Sequence, residues 1–291
     1  MVSESLLTIS ILFGIASMLG YGISDFFPSR LTKSAGSVNL LFWYFSISSL
    51  MLAVVGLLVS GFPIITGDDA ILIVGAIALN VLGLLTFLKG LKIGKLSIIA
   101  PISGSWSVIT VLIGVIFLSE ALNVLEIVGI ILVIFGTLLA SLRIRDVLRL
   151  KRDTIISGSE YAVATMLIWG VLFALIGILS KRIGWLSPIF IVTVGSAVVL
   201  FVYSVVGKVE LKFPVKLYRM VGLWTLTGTL AFIFYSLGTN YGYISIVSPI
   251  TAASAFVAVI LGVIVLRERL ENEQRLGIVL IIIGIILVAI G

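Results

Sequence analysis

The sequence predicts an all-α integral membrane protein of ten transmembrane helices, arranged as two inverted five-helix repeats. Of its 291 residues, 60% are hydrophobic and only 11% are charged, so the chain lacks the polar surface that a soluble domain of this size shows to water. The apolar residues fall in charge-free runs of bilayer-spanning length. The second half of the sequence also repeats the first at a constant offset of 148 residues, without a gap.

The charge-free runs define the ten helices in order. A spanning helix needs about 20 apolar residues, so the unbroken run from Met220 to Leu266 must hold two helices that turn near residues 238–243. No Lys or Arg precedes Arg30, which argues against a cleaved signal peptide and for a retained first helix. The predicted extents are 5–27, 38–60, 70–88, 96–119, 124–142, 160–180, 187–206, 219–237, 244–266 and 275–290.

The 148-residue offset divides the chain into a first repeat over 1–142, a basic connecting loop over 143–159 and a second repeat over 160–291. It places Lys33 on Lys181 and Glu120 on Glu268. A repeat of this length is typical of a duplicated membrane bundle rather than of a solenoid, whose periods are about 20 to 50 residues. Because each repeat has five helices, the second copy should enter the membrane from the opposite side.

The basic residues predict the orientation of the chain. Seventeen of the 19 Lys and Arg residues fall in the odd-numbered loops, whereas Lys181 and Arg182 alone fall in an even-numbered loop. The positive-inside rule then places the odd-numbered loops in the cytoplasm and both termini outside. The positive charge is explained by orientation and by anionic lipid, so no nucleic-acid partner is expected.

The residue types that are missing exclude several kinds of chemistry. Without His or Cys, the chain has no imidazole or thiolate ligand for a metal and no His base or Cys nucleophile. It also has no GxxxxGK[ST] motif for ATP, and no cofactor is expected. The acidic residues fall at the ends of the predicted helices, which disfavours proton exchange through a central carboxylate. Asp25 comes nearest to an exception, and Glu120 and Glu268 are expected to cap helices or form ion pairs.

Aromatic residues deep in the predicted helices are candidates to line a substrate cavity. Trp169 lies eight residues after Tyr161, roughly 12 Å into a core about 30 Å thick, so its indole N–H needs an internal partner or water. Trp106, Tyr21 and Tyr235 are further candidates, and the alternative for all four is that they are core or lipid-facing bulk. The remaining tryptophans, Trp43, Trp185 and Trp224, fit the headgroup belts instead.

Polar residues near the middle of the predicted helices are the second group of candidates. Asn80 is the best single one, because an unpaired amide is disfavoured in hydrocarbon, although a bond that only holds two helices together would satisfy it equally. Pro101 and Pro249 each remove a backbone donor and are candidate hinges, or alternatively kinks that improve packing. The candidate hydroxyls beside them are Ser103, Thr251 and Ser254.

The pattern resembles the EamA-type transporters of the drug/metabolite transporter superfamily. It is carried by Lys89-Gly90-Leu91 through Ser97-Ile98-Ile99-Ala100-Pro101, by Leu118-Ser119-Glu120-Ala121-Leu122, by Gly129 and Gly136, and by the counterparts of all of these in the second half. The resemblance implies a central cavity between the halves that opens alternately to each side. Such families commonly have cytoplasmic termini, from which the charge pattern departs.

The sequence therefore predicts a secondary transporter in the cell membrane that moves a small organic metabolite, plausibly an amino acid or similar amphiphile, by alternating access. Binding would depend on aromatic surface, hydroxyls and amides rather than on ion pairs. A membrane assembly or receptor subunit without transport is the first alternative, and an enzyme acting on a lipid-linked substrate is the second. A monomer is favoured over a homodimer formed through the glycine faces of the fifth and tenth helices.

Overall fold

The structure is a computed structural model that describes residues 4–25, 27–28, 31, 36–59, 67–94, 96–141, 158–254, 256–257, 260–261 and 271–291. The described part is built from α-helices and one short 3₁₀ turn, Val215–Leu217. The helices are α1 (Glu4–Ser24), α2 (Ser37–Leu58), α3 (Gly67–Ile93), α4 (Leu96–Gly104), α5 (Trp106–Phe117), α6 (Val124–Ser141), α7 (Ser159–Ile183), α8 (Leu186–Val206), α9 (Tyr218–Tyr241), α10 (Ile244–Ala252) and α11 (Asn272–Ile290).

Nine segments of the described residues are long and apolar enough to cross a membrane, and α4 and α5 together form one of them. They correspond to nine of the ten predicted helices. The other, predicted over 244–266, begins as α10, but most of its second half lies outside the described residues, as does most of the connecting loop over 143–159. The protein is therefore a multi-pass membrane protein.

The two proline-bearing segments are interrupted at equivalent positions. Helix α4 gives way to α5 at Ser105, and α10 ends just before Ala253, which is the residue 148 positions later. Each break lies four residues after its proline, Pro101 or Pro249. The Ser105 hydroxyl donates to the Pro101 carbonyl oxygen at 2.8 Å, so a side chain satisfies an acceptor at the break.

The same contact occurs twice between the repeats, once from the first repeat to the second and once from the second to the first. Gly22 of α1 packs against the residues after α10, where a Cβ atom on Gly22 would lie 2.8 Å from the Ser254 carbonyl oxygen. Its counterpart Gly170 of α7 packs against the start of α5, and a Cβ there would lie 2.9 Å from the Trp106 carbonyl oxygen. Trp106 and Ser254 are themselves counterparts. Each repeat thus presents the same glycine to the same part of the other repeat.

Helices α6 and α11 pack closely along their glycines. A Cβ on Gly129 would lie 2.7 Å from the Gly284 carbonyl oxygen, and one on Gly136 would lie 2.7 Å from the Gly277 carbonyl oxygen. Since the numbering rises along α6 while it falls along α11, the two helices run antiparallel. Their small residues let the backbones of the two helices approach closely within the chain.

Candidate functional site

A cavity of about 100 Å³ lies between the two repeats. A volume of this size has room for several water molecules or the body of a small organic ligand. Both repeats contribute to its wall, which consists of Tyr21, Ser24, Asp25, Pro28, Tyr44, Phe45, Ser48, Asn80, Leu84, Phe87, Trp106, Trp169, Leu172, Phe173, Thr193, Trp224, Phe232, Thr251 and Ser254.

Aromatic rings form most of the apolar wall, and they are held by contacts with one another. The Trp106 ring stacks on Phe173 with centroids 4.1 Å apart, and Tyr44 packs against Trp224 at 4.5 Å. The Trp169 ring lies 5.0 Å from Phe87. Because ring pairs at these separations are favourable beyond their buried area, the cavity wall is a fixed surface for a ligand with an apolar or planar part.

Six of the eight substrate-binding residues expected from the sequence lie on this wall: Tyr21, Asn80, Trp106, Trp169, Thr251 and Ser254. Tyr235 and Ser103 do not. Tyr235 is fully buried behind the wall, where its ring lies 4.8 Å from Phe173 and its hydroxyl donates to the Phe173 carbonyl oxygen at 2.9 Å. Tyr235 therefore supports the wall without facing the cavity.

Asn80 faces the cavity and also joins the two repeats. Its amide nitrogen donates to the Ser196 hydroxyl of α8 at 3.0 Å, and Ser196 in turn donates to the Val192 carbonyl oxygen. One donor of the amide is thereby fixed. The sequence offered cavity lining and an interhelical bond as alternatives for Asn80, and in the structure the side chain does both.

Two buried hydroxyls near the prolines have no hydrogen-bond partner in the described structure. They belong to Ser103 and Thr251, which are counterparts two residues after Pro101 and Pro249. Both side chains are almost completely buried. A buried hydroxyl without a partner is disfavoured. Since Thr251 lies on the cavity wall, a water or ligand in the cavity can satisfy it.

Asp25 and Trp224 lie on the cavity wall although the sequence placed both at membrane interfaces. Asp25 immediately follows α1, is exposed to the cavity, and its Oδ2 lies 3.5 Å from the Ser254 hydroxyl. Trp224, expected in a headgroup belt, is buried inside the bundle. Its ring packs against Tyr44 on an inner face of the bundle, which position along the helix alone did not predict.

The wall residues come from the middle of the helices and from one end of the bundle. That end, which we name the Asp25 face, holds the end of α1, the second half of α3 and the beginning of α9. The other end, named the Glu120 face, holds the end of α7 and the turn between α9 and α10. None of the described residues at the Glu120 face belongs to the cavity wall.

A buried carboxylate closes the Glu120 face. Glu120 Oε1 accepts from the Ile244 backbone N–H at 2.8 Å, and Oε2 accepts from the backbone N–H and the hydroxyl of Ser245 at 2.9 and 2.6 Å. Lys181 Nζ lies 3.1 Å from Oε1. Glu120 follows α5 of the first repeat, whereas α7 and α10 belong to the second. The carboxylate therefore caps α10 across the boundary between the repeats.

The fold and cavity define a multi-pass membrane protein built from two related helical units. The sequence model of the EamA-like transporter family matches residues 8–142 and 156–290, so the chain belongs to this family. It is 34% identical over 137 residues to the uncharacterized protein MJ1333.1 of Methanocaldococcus jannaschii. That match covers 46% of this chain and 96% of the relative, so the relative has about the length of one repeat.

The fold is also similar to that of a protein of known crystal structure. The two share 15% sequence identity and superpose with a TM-score of 0.77, over 96% of this chain and 95% of the other. At this identity the similarity concerns the fold alone.

Proposed function

We propose that this protein is a secondary transporter that moves a small organic metabolite, an amino acid or a similar amphiphile, across the cell membrane by alternating access. The EamA-like transporter family supports transport, and the cavity between the repeats carries the more specific proposal. Its wall combines fixed aromatic rings with an amide and hydroxyls, the usual composition of a small-molecule site. No enzymatic step forms part of the proposed function.

The closure of one end supports alternating access. The cavity wall extends to the Asp25 face, whereas Glu120, Lys181 and the first turn of α10 bind one another at the Glu120 face. An alternating-access transporter requires a closed barrier on one side of its site at any time. The arrangement fits a state that is open toward the Asp25 face and closed at the Glu120 face.

The inverted arrangement of the repeats is likewise a proposal with structural support. The counterparts α6 and α11 run antiparallel, as expected when one repeat is related to the other by a two-fold axis in the membrane plane. The crosswise contacts of Gly22 and Gly170 fit the same symmetry. Under this symmetry, a change that opens the Glu120 face has a counterpart that closes the Asp25 face.

The charge bias of the loops gives the proposed orientation. The Asp25 face adjoins the odd-numbered loops, which carry most of the Lys and Arg residues, so we place it in the cytoplasm and both termini outside. A reporter fused after Gly291 should therefore be located outside the cytoplasm. A reporter located in the cytoplasm would show that the orientation is the reverse of the proposed one, without affecting the proposed site.

Flux into sealed proteoliposomes tests the function. Purified protein should raise the uptake of at least one compound in a panel of amino acids, amines, nucleosides and sugars above that of protein-free vesicles. Trp106→Ala and Asn80→Ala should each reduce this flux by about tenfold or more while the protein remains folded, because each change removes part of the cavity wall.

Matched substitutions away from the cavity serve as controls. Trp43 packs against Phe42 and Phe213 and is not part of the cavity wall, so Trp43→Ala should retain most of the flux. Asn240→Ala, near the end of α9, is the control for Asn80. Flux that never exceeds the protein-free background across the panel would refute transport and favour the assembly or receptor alternative. Full activity of both wall variants would remove Trp106 and Asn80 from the site.

A further inference from the structure

We propose that the preferred cargo is an organic ammonium: a molecule with one positive charge on an aromatic or planar body and no carboxylate. This inference rests on the proposed function, because it names the chemical class that the same cavity selects. It is carried by the combination of a single carboxylate and an aromatic wall. It narrows the proposed cargo from an amino acid or similar amphiphile to an amine, and it replaces the expectation from the sequence that ion pairs play no part in binding.

The cavity wall is electrostatically one-sided. Asp25 is the only charged side chain among the described residues of the wall, which include no Lys or Arg. Within the described structure no cation forms an ion pair with Asp25, and the Ser254 hydroxyl is its side-chain partner at 3.5 Å. The Coulomb attraction between a carboxylate and a cation is stronger in a largely apolar enclosure than in bulk water.

The aromatic rings near Asp25 favour the same charge. Tyr21 lies one helical turn before Asp25, and Tyr44, paired with Trp224, belongs to the same wall. The faces of Trp and Tyr rings attract ammonium groups by about 0.5–2 kcal/mol each, with the larger values at desolvated sites. A cation between these rings and Asp25 would be stabilised by both kinds of contact.

The polar atoms of the wall provide acceptors for an ammonium. The fully buried Thr251 hydroxyl has no partner in the described structure, and the Ser254 hydroxyl lies beside Asp25. A protonated primary amine has three N–H donors and no acceptor. The Asp25 carboxylate and the hydroxyls of Ser254 and Thr251 offer one acceptor group for each of these donors.

The same wall disfavours a zwitterion. The carboxylate of an amino acid would enter a cavity whose described wall offers it no Lys or Arg, and it would be repelled by Asp25. Burying a carboxylate without a cationic partner carries a large desolvation cost. An amine should thus bind more tightly than the amino acid with the same side chain.

The side chains of the cavity wall also favour an organic cation over a metal ion. Among the residues that the structure describes, no three His, Cys, Asp or Glu side chains form a group that could hold a metal ion. Mg²⁺ and Ca²⁺ require about six oxygen ligands, whereas this wall surrounds one carboxylate with rings. Aromatic rings bind ammonium groups but do not replace the oxygen shell of a divalent ion.

Three ligands that each contain an indole ring test the preference for an ammonium, with the full-length protein in lipid nanodiscs. Tryptamine carries a positive charge, tryptophol carries none, and tryptophan is a zwitterion. Isothermal titration calorimetry should give a dissociation constant for tryptamine at least tenfold lower than for either of the others. Asp25→Asn should raise the tryptamine value about tenfold or more and leave the tryptophol value within twofold.

Two further variants make the result specific to Asp25. Asp25→Glu should retain the preference for tryptamine. Asp68→Asn changes an exposed carboxylate in the first turn of α3, which is not part of the cavity wall, and should leave all three dissociation constants unchanged. Equal binding of tryptamine and tryptophan by the unmodified protein overturns the inference, and so does a folded Asp25→Asn variant that keeps the preference. The comparison in the unmodified protein decides the matter even if the variant does not fold.

Flux measurements separate failure of this inference from failure of the proposed function. Tryptamine that binds with the expected preference but never crosses the membrane, together with no flux of any compound in the panel, would refute transport and leave the ligand class intact. Flux of an uncharged or zwitterionic compound without preferential binding of tryptamine would refute the ligand class and leave transport intact.

Discussion

Replacing Glu120 with glutamine should weaken the contacts that hold the two repeats together at the Glu120 face. The substitution keeps the size and one acceptor oxygen of the side chain but removes its charge, and it places an amide donor opposite the N–H groups of Ile244 and Ser245. The carboxylate is 4% exposed, so water offers little compensation. The bonds that it makes join two different repeats, and their loss should favour separation of the repeats at this face.

The size of the effect follows from the contacts. Hydrogen bonds to a charged group contribute about 1.5–3 kcal/mol each, and a carboxylate at a helix N-terminus adds about 0.3–1 kcal/mol. Glutamine retains part of this stabilisation through its oxygen. The Lys181 side chain is 37% exposed, so the ion pair itself adds no more than about 0.5 kcal/mol. A net loss of about 2–3 kcal/mol would shift the equilibrium between closed and open faces by roughly 30- to 150-fold.

The absence of native cysteine makes the shift measurable by thiol labelling. Ser254→Cys introduces one thiol on the cavity wall, and an impermeant maleimide is added to one side of oriented membrane vesicles. In the otherwise unmodified chain, labelling should proceed from the side of the Asp25 face and be slow from the other. Adding Glu120→Gln should accelerate labelling from the side of the Glu120 face by about tenfold or more.

A neighbouring carboxylate supplies the matched control. Glu126 is also buried, but it bonds with Asn123 in a cap of its own helix, α6. Glu126→Gln should preserve that cap, since glutamine serves the same role, and should leave labelling from the Glu120 face unchanged. If Glu120→Gln yields folded protein whose labelling from that side stays within twofold of the reference, Glu120 does not hold the face closed.

Two further predictions concern the cavity and the helix packing. Asp25 lies just beyond the spanning segment Glu4–Ser24, and enclosure by protein raises the pKa of its carboxyl to about 7, an effect that the Ser254 hydroxyl partly offsets. Protonation removes the attracting charge, so tryptamine affinity should fall about five- to tenfold from pH 8 to pH 6; calorimetry showing no change would contradict this. Gly136→Val would force a side chain against the Gly277 backbone and lower the free energy of unfolding by about 1–3 kcal/mol. A melting temperature no lower than that of Gly222→Ala, where no atom beyond the chain neighbours and the backbone of the same helix lies within 4 Å of an added Cβ, would contradict the close packing.

The helices could be predicted from the sequence because the charge-free runs match the thickness of a bilayer, but some of their ends could not. The third helix was predicted over 70–88 and extends over Gly67–Ile93, past Lys89 and Lys92. A lysine near a helix end can reach water while its backbone stays helical. Lys89 also lies over the Tyr161 ring, with its Nζ 4.6 Å from the ring centroid. A charge therefore marks a limit of the apolar run rather than the end of the helix.

The site was predictable where position along a helix was enough. Aromatic and amide groups deep in a predicted helix need an internal environment, and Trp106, Trp169 and Asn80 were identified on that basis. The side of the helix on which a residue lies could not be predicted, because nearly every residue of these helices is apolar and no polar face distinguishes inside from outside. For this reason Tyr235 and Ser103, at similar depth, were grouped with residues that face the cavity.

Asp25 and Glu120 show a second limit. Both stand at the ends of predicted helices, where carboxylates are ordinary, and no signal in the sequence distinguishes one that faces lipid headgroups from one that faces a cavity. The cap and ion pair expected of Glu120 are present. Their location across the boundary between repeats depends on tertiary packing. The 148-residue offset gives Glu120 the sequence counterpart Glu268, which lies outside the described residues.

Distances across the two faces, measured in the same protein, test alternating access most directly. Spin labels on introduced cysteines can report the Glu120 face from Ile71 and Tyr241, and the Asp25 face from Ile93 and Val206; all four side chains are exposed and each pair joins the two repeats. Double electron–electron resonance should show the first distance lengthening and the second shortening when Glu120→Gln is introduced. Distances that both stay constant, or that lengthen together, would contradict alternating access between two inverted repeats.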